Sequence, residues 1–389
     1  MMRNWKRNVY SRAALIILFI FCLFTAQVVV FASDYTFSAM CDSRGNDDGV
    51  NKKVLSLLLN HLVKNNPSNK FILFPGDMIS GKRGDPTALR KQLIKWKQVM
   101  SPIYDNIHME WPYVWPSIGN HETINKEDMT TYLNFFNDVY MNGPKDERGL
   151  TYSFDYKNSH FVSVQTNHYV KKTKNDPYGL MEQYIKDLDW LEKDLSSARK
   201  RGIKHIFVFG HMPAFPIGAH LADSLPNANM ILKNPKDPSA RRYLKQRDKF
   251  WDVLVKYKVS AYICGHEHCY GRQRIRGVYQ ILTGGAGAPL CHLNPLPGDN
   301  KAKDPDWPPE RFDEAKPFYE ILGYPHGPKD KCQASNNFVG GRFFEYVIFN
   351  VSDNAVLIQT WGIDPKEGSR DQVKPGAKIE LKDEFIIRN

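Results

Sequence analysis

Six short segments between Cys41 and His268 each end in side chains able to ligate a metal: Cys41-Asp42-Ser43-Arg44, Gly76-Asp77, Gly119-Asn120-His121-Glu122, Gly210-His211, Gly265-His266 and Glu267-His268. Most follow an apolar run, at 35–40, 71–74, 113–118, 206–209 and 261–263. Runs of this length bounded by turn residues read as buried parallel strands. The candidate ligands then stand at strand ends, and the carboxyl ends of parallel strands are where open α/β sheets build their sites. Two carboxylates, one amide oxygen and three imidazoles suit a pair of divalent ions with one carboxylate between them, the layout of a two-metal hydrolase.

With GD at Gly76, GNHE at Gly119, GHMP at Gly210 and GHEH at Gly265, in that order from Asp42 to about Pro289, the chain resembles the calcineurin-like metallophosphoesterases, and among them the purple acid phosphatase-like branch. Any one block is a weak signal; five in order, each after a strand-like run, are specific. The stretch 181–195 also looks like the helix that precedes the GH block in that branch. The resemblance implies an α/β fold: a four-layer α-β-β-α sandwich of two mixed sheets with flanking helices.

It also implies roles. Asp77 bridges two ions, Asp42 and His268 hold the first, and Asn120, His211 and His266 hold the second. The ions are zinc, manganese or iron, and a hydroxide between them attacks phosphorus in line. His121 protonates the leaving group or binds a phosphoryl oxygen. Glu122 orients His121 or makes a surface salt bridge. His168, His220, Tyr270 and Arg272 stand where the branch often places substrate contacts.

The first block departs from the family pattern. Most members carry Asp-x-His there, and purple acid phosphatases instead supply a tyrosine three residues after the GD aspartate. This chain has Asp42-Ser43-Arg44 and, at the tyrosine position, Ser80. The first ion is one strong ligand short by either template, with water, a backbone carbonyl or Ser80 left to fill the gap, and the ferric iron and colour linked to that tyrosine are not expected. Arg44 cannot ligate a metal, because a guanidinium stays protonated and has no lone pair. Its planar fork suits phosphate, so Arg44 is expected to bind substrate beside the first ion; the alternative is a salt bridge to Asp47 or Asp48.

Residues 1–32 read as a signal peptide: Arg3, Lys6, Arg7 and Arg12 precede an apolar stretch at 13–31, and Val30-Phe31-Ala32 offers a cleavage site before Ser33. The alternative is an uncleaved anchor, since about 19 apolar residues nearly span a bilayer. Either way the domain at 33–389 is exported, periplasmic or extracellular, with no stable membrane association after cleavage. The whole chain carries a net charge of +11. Its signs are mixed and no long basic run occurs, so nucleic acid is not an expected partner, whereas anionic phosphate esters are attracted. Cys41, Cys264 and Cys269 read as small buried residues. Cys291 and Cys332 flank a proline-rich insertion at about 288–341, and could pair in an oxidising compartment.

The periodicity predicts helices over 49–64, 181–195 and 243–257, hairpins at 151–165 and 274–283, and late strands at 343–351, 355–361 and 379–387. His61, His108 and His205 lie away from the blocks and read as structural. The expected function is phosphomonoester hydrolysis on a small-molecule substrate. A phosphodiesterase or nucleotidase would use the same centre, and a non-catalytic phosphate-binding or surface interaction protein on a degenerate scaffold is the alternative of another class. Nothing in the sequence indicates the oligomeric state.

Overall fold

A computed structural model describes residues 33–82, 84–106, 108–122, 125–169, 181–218, 220, 224–226, 231, 236–291 and 338–388. Contacts divide the chain into Met1–Ser33 and Asp34–Asn389; the fold is that of the second unit.

Its centre is two mixed sheets. In one, β1 (Tyr35–Ala39), β3 (Asn69–Phe74) and β4 (Val114–Pro116) run parallel, and β14 (Phe344–Val351), β15 (Ala355–Ile363) and β16 (Glu380–Arg388) extend it antiparallel beyond β1. In the other, β6 (Ser159–Ser163), β9 (His205–Phe209), β10 (Ala261–Cys264) and β12 (Val278–Thr283) run parallel. It is edged by β5 (Tyr152–Tyr156) on one side and by β11 (Tyr270–Ile275) and β13 (Phe338–Gly341) on the other. A short strand β2 (Arg44–Asp47) follows β1, and a two-stranded ribbon pairs β7 (Asn167–Tyr169) with β8 (Met181–Gln183).

An aromatic layer fills the space between the sheets. Phe37 stacks on Phe349 at 4.5 Å and meets Phe161 and Phe207 edge-on at 5.1 Å. Such offset and T-shaped pairs add to what burial of their area already contributes. Outside, Leu55, Leu58 and Leu62 of α1 (Lys52–Asn65), with Leu89, Leu93 and Trp96 of α2 (Pro86–Val99), cover the first sheet. Leu191 and Leu195 of α5 (Leu188–Lys200), with Phe250, Trp251 and Leu254 of α6 (Arg242–Lys256), cover the second. The layers are therefore α-β-β-α, as expected. Two further helices, α3 (Ser101–Tyr104) and α4 (Lys126–Phe135), lie along the first half of the chain. Among the described residues no helix is long and apolar enough to cross a membrane.

Where helices begin is set by local chemistry. Asn51, Asp85, Asn125 and Asp187 each accept a hydrogen bond from the backbone N–H three residues on, satisfying donors that have no partner inside the helix. Asp187 thereby corrects the expected helix over 181–195: α5 starts at Leu188, and residues 181–183 form β8. Met181 and Tyr184 matched the helical spacing by coincidence. The proposed partner Cys332 and the insertion from 292 to 337 lie outside the described residues.

Candidate metal centre

Every candidate ligand follows the carboxyl end of a parallel strand. Asp42, Asp77 and Asn120 come after β1, β3 and β4, and His211, His266 and His268 after β9 and β10. Three of them take left-handed backbone, with φ of 61° at Asp42, 49° at Asp77 and 73° at His266. Non-glycine residues rarely adopt this conformation, and it gathers where a site turns the chain sharply to aim a side chain. Glycine is required beside them: a Cβ on Gly119 would collide with the Asp77 carboxylate, and one on Gly265 with that of Asp42.

Four candidate ligands are linked by close contacts. Asn120 Oδ1 lies 2.9 Å from His211 Nε2 and 3.1 Å from His266 Nδ1, and His211 Nε2 lies 3.3 Å from Asp77 Oδ1. Ligand atoms spaced this way match metal–ligand distances of about 2.1 Å. His211 Nδ1 donates to the Pro75 carbonyl at 2.9 Å, which directs Nε2 to the cluster. Burial would push the His211 pKa down, but Asp77, with Asp42 and Glu122, raises it to about 9. Burial would likewise raise Asp77, yet His211, His121 and Arg44 hold it well below the usual carboxylate range.

The second group is Asp42, Asp77 and His268, whose ligand atoms lie within 4.8 Å of one another. Asp42 Oδ2 accepts from the His266 N–H at 2.9 Å, but Oδ1 is buried, receives no hydrogen bond and lies 3.6 Å from His268 Nε2. A buried carboxylate oxygen without a donor is costly unless a cation faces it. Burial and Asp77 raise Asp42 to about 7 against the pull of His211. Ser80 is held by two hydrogen bonds: its hydroxyl donates to the Gly45 carbonyl at 2.9 Å and its own carbonyl receives His121 Nδ1 at 2.6 Å. The donor sets thus fit two divalent ions, the one beside Asp42 and His268 more sparsely held than the one beside His211.

Around the cluster stand the polar side chains that face the cleft. Arg44, 24 % exposed, does not reach for Asp47 or Asp48: its Nη2 is 3.3 Å from His268 Nε2 and its Nε 3.9 Å from Asp77 Oδ2. His121, 27 % exposed, points Nε2 at Asp77 Oδ2 from 3.8 Å. Burial lowers its pKa by more than Asp77 raises it. The ring of His220 packs 4.3 Å from that of His266 and 5.8 Å from that of His268, so this residue is brought to the site.

Other expected substrate contacts are engaged elsewhere. His168 lies 2.9 Å through Nε2 from the Tyr184 carbonyl and 3.9 Å through Nδ1 from Glu147. Tyr270 is fully buried between the sheets and donates to Asp383 at 2.8 Å, and Arg272 pairs with the same carboxylate. For Tyr270 this is a correction. β11 begins at Tyr270, and alternation along the strand turns its ring into the aromatic layer rather than the cleft. His61 contacts the Tyr346 hydroxyl and His205 the Ser352 carbonyl, in keeping with structural roles.

Two glutamates matter more than the sequence suggested. Glu122 is neither on the surface nor in contact with the His121 ring. It is fully buried and accepts from the N–H groups of Asp77, Gly119 and Ile79 at 2.9, 2.9 and 3.3 Å, binding the GD loop to the GNHE loop. Glu267 accepts from Ile217, Gly218 and His220 at 2.6, 2.7 and 3.3 Å and fixes the GHMP loop in the same way. Burial raises both carboxyls, Glu122 with help from Asp77 to about 8 and Glu267 to about 7. Their only sequence signal is adjacency to histidines of the blocks, His121 for Glu122, and His266 and His268 for Glu267.

The model of the calcineurin-like phosphoesterase family matches residues 44–270, more than half of the chain. Acid phosphatase type 7 of Homo sapiens is 28 % identical over 178 residues, 45 % of this chain, and the Mus musculus protein 29 % over 181 residues. These alignments span 36 % of each relative's own length. Among solved structures, purple acid phosphatase PPD1 from yellow lupin (Lupinus luteus) seeds superimposes with a TM-score of 0.52 at 14 % identity, covering 91 % of this chain and 53 % of that one. PhoD superimposes with a TM-score of 0.53 at 10 % identity, covering 92 % and 70 %. With the family's blocks set at the ends of the strands that its fold requires, the chain belongs to the calcineurin-like phosphoesterases.

Proposed function

We propose that this protein is an exported phosphoesterase that hydrolyses small-molecule phosphate monoesters at a two-ion centre. The observation that carries the reading is the run of close contacts from Asp77 through His211 and Asn120 to His266, with the Asp42–Asp77–His268 group and a buried, donor-free oxygen of Asp42 beside it. When bound, divalent ions there neutralise phosphate charge and make water nucleophilic at neutral pH. The chain's own groups do the rest. Arg44 is a two-pronged donor for phosphoryl oxygens, and the net positive charge favours the approach of an anion. His220 closes the wall beside His266 and His268.

His121 has a defined proton position. A carbonyl only accepts, so the 2.6 Å contact with Ser80 O places a proton on Nδ1 and leaves Nε2 as the exchangeable atom facing the cleft. A phosphate dianion arriving there adds negative charge and favours protonation of Nε2, which then serves the leaving oxygen. His121→Gln is expected to lower kcat for an alkyl phosphate by about 10²–10³-fold. An aryl phosphate, whose leaving group departs with little protonation, should lose far less. Parallel assays of aryl monoester, alkyl monoester and diester, with and without chelator, test the whole reading. A chelator-insensitive or absent turnover would favour a phosphate-binding protein, and a preferred diester would redirect the substrate class.

Export rests on the basic and apolar N-terminal segment. Protein recovered from the cell envelope or medium should begin at Ser33; an intact Met1 would instead support the anchor.

A further inference from the structure

We propose that Arg44 makes ion binding at the Asp42–His268 position conditional on phosphate: the guanidinium blocks that position while the cleft holds no oxyanion, and turns onto phosphoryl oxygens when one enters. The proposal deepens the phosphoesterase reading and rests on it.

Hydrogen-bond chemistry fixes the starting state. His268 Nδ1 lies 2.9 Å from the Pro289 carbonyl and must carry its proton to bond it, so the lone pair is on Nε2. That lone pair, the one a metal would take, accepts from Arg44 Nη2 at 3.3 Å. The same guanidinium approaches Asp77, the other carboxylate the ion needs. A guanidinium is a cation, so an ion and the Arg44 head at this place are two cations in contact. Among the described His, Cys, Asp and Glu side chains, the ligand atoms clustered at this position are those of Asp42, Asp77 and His268 alone.

Phosphate resolves the conflict. Arg44 Nε makes no hydrogen bond and faces Asp77 Oδ2 only from 3.9 Å, so the contact with His268 is the one hydrogen bond the guanidinium gives up when it turns. A phosphoryl dianion can take both prongs, withdraw the guanidinium from His268, neutralise its charge and add an oxygen ligand. Coupling of this kind is reciprocal: whatever factor phosphate adds to ion affinity, the ion adds to phosphate affinity.

The test is titration of metal-free protein with Mn²⁺, read as free Mn²⁺ by electron paramagnetic resonance, with and without inorganic phosphate. Wild-type protein should hold one ion tightly without phosphate, and phosphate should tighten the second by about 10-fold or more. Arg44→Gln should bind both ions without phosphate and show little further tightening. Arg44→His, which replaces the cation by a ligand, should bind the second ion more tightly still. Two ions bound equally well by the wild type regardless of phosphate, with normal turnover, overturn the role of Arg44 alone. So does an Arg44→Gln variant that keeps the phosphate dependence. Binding of no Mn²⁺ together with absence of hydrolysis overturns the phosphoesterase reading as well.

Discussion

Exchange of Asp77 for asparagine is expected to lower kcat/KM for a phosphate monoester by at least about 10³-fold, because ligands in direct contact with a metal matter more than the outer partners whose loss already costs 10–100-fold. The substitution keeps the volume and removes the charge. Asp77 Oδ1 receives the His121 N–H at 3.0 Å and faces His211, while Oδ2 faces His121 and Arg44. The carboxylate therefore stands between the two ligand groups, and its loss should deplete both ions. Asp42→Asn should deplete only the ion beside His268. Metal analysis of the two variants side by side decides the matter: equal losses of metal and of activity would argue against a bridging Asp77.

Metal-free protein should lose stability as pH rises from about 6.5 to 8.5, by an amount on the order of 5 kcal/mol. Burial raises Glu122 and Glu345 to about 8, and Glu267 and Asp42 to about 7. A carboxyl whose folded pKa exceeds its unfolded value holds its proton better folded than unfolded. Its contribution is complete below the unfolded value and fades until the folded pKa is passed. His211, raised to about 9 against the effect of burial, contributes stability below 6.5 and loses it through 9, in the same sense. His121, His168 and His268, lowered by burial, act oppositely but only below the ordinary value of 6.5. Above that value every one of the raised groups works against the fold. Thermal melts of chelated protein should fall by roughly 5–10 °C across this interval. Bound divalent ions should flatten the slope by favouring ionised Asp42; a chelated protein whose melting point rises over the same interval would contradict this account.

Much of this architecture was legible because two signals coincide. An apolar run says strand, and a glycine followed by Asp, Asn or His says that the strand ends at a site; together they locate β1, β3, β4, β9 and β10 and place all six candidate ligands at strand ends. Helix α2 escaped, since its buried side is only Leu89, Leu93 and Trp96 within a lysine-, arginine- and glutamine-rich stretch. Met181 and Tyr184 misled in the opposite direction, extending a helical spacing past the Asp187 cap. Tyr270 looked like a cleft residue because sequence adjacency to His268 does not reveal which face of β11 carries it. Glu122 and Glu267 were underread for a general reason: a carboxylate that ties loops together through backbone N–H groups leaves no pattern, because its partners contribute no side chain.

The aromatic layer between the sheets has a bearing on the chemistry. Asp42, Asp77 and Asn120 belong to one sheet, and His211, His266 and His268 to the other, so neither half owns a complete coordination sphere. Phe37, Phe161, Phe207 and Phe349 act as a shim whose thickness sets the gap across which the ligands meet. Metal affinity would then be a gauge of how the two halves are seated, with these phenylalanines part of what spaces the candidate ligands.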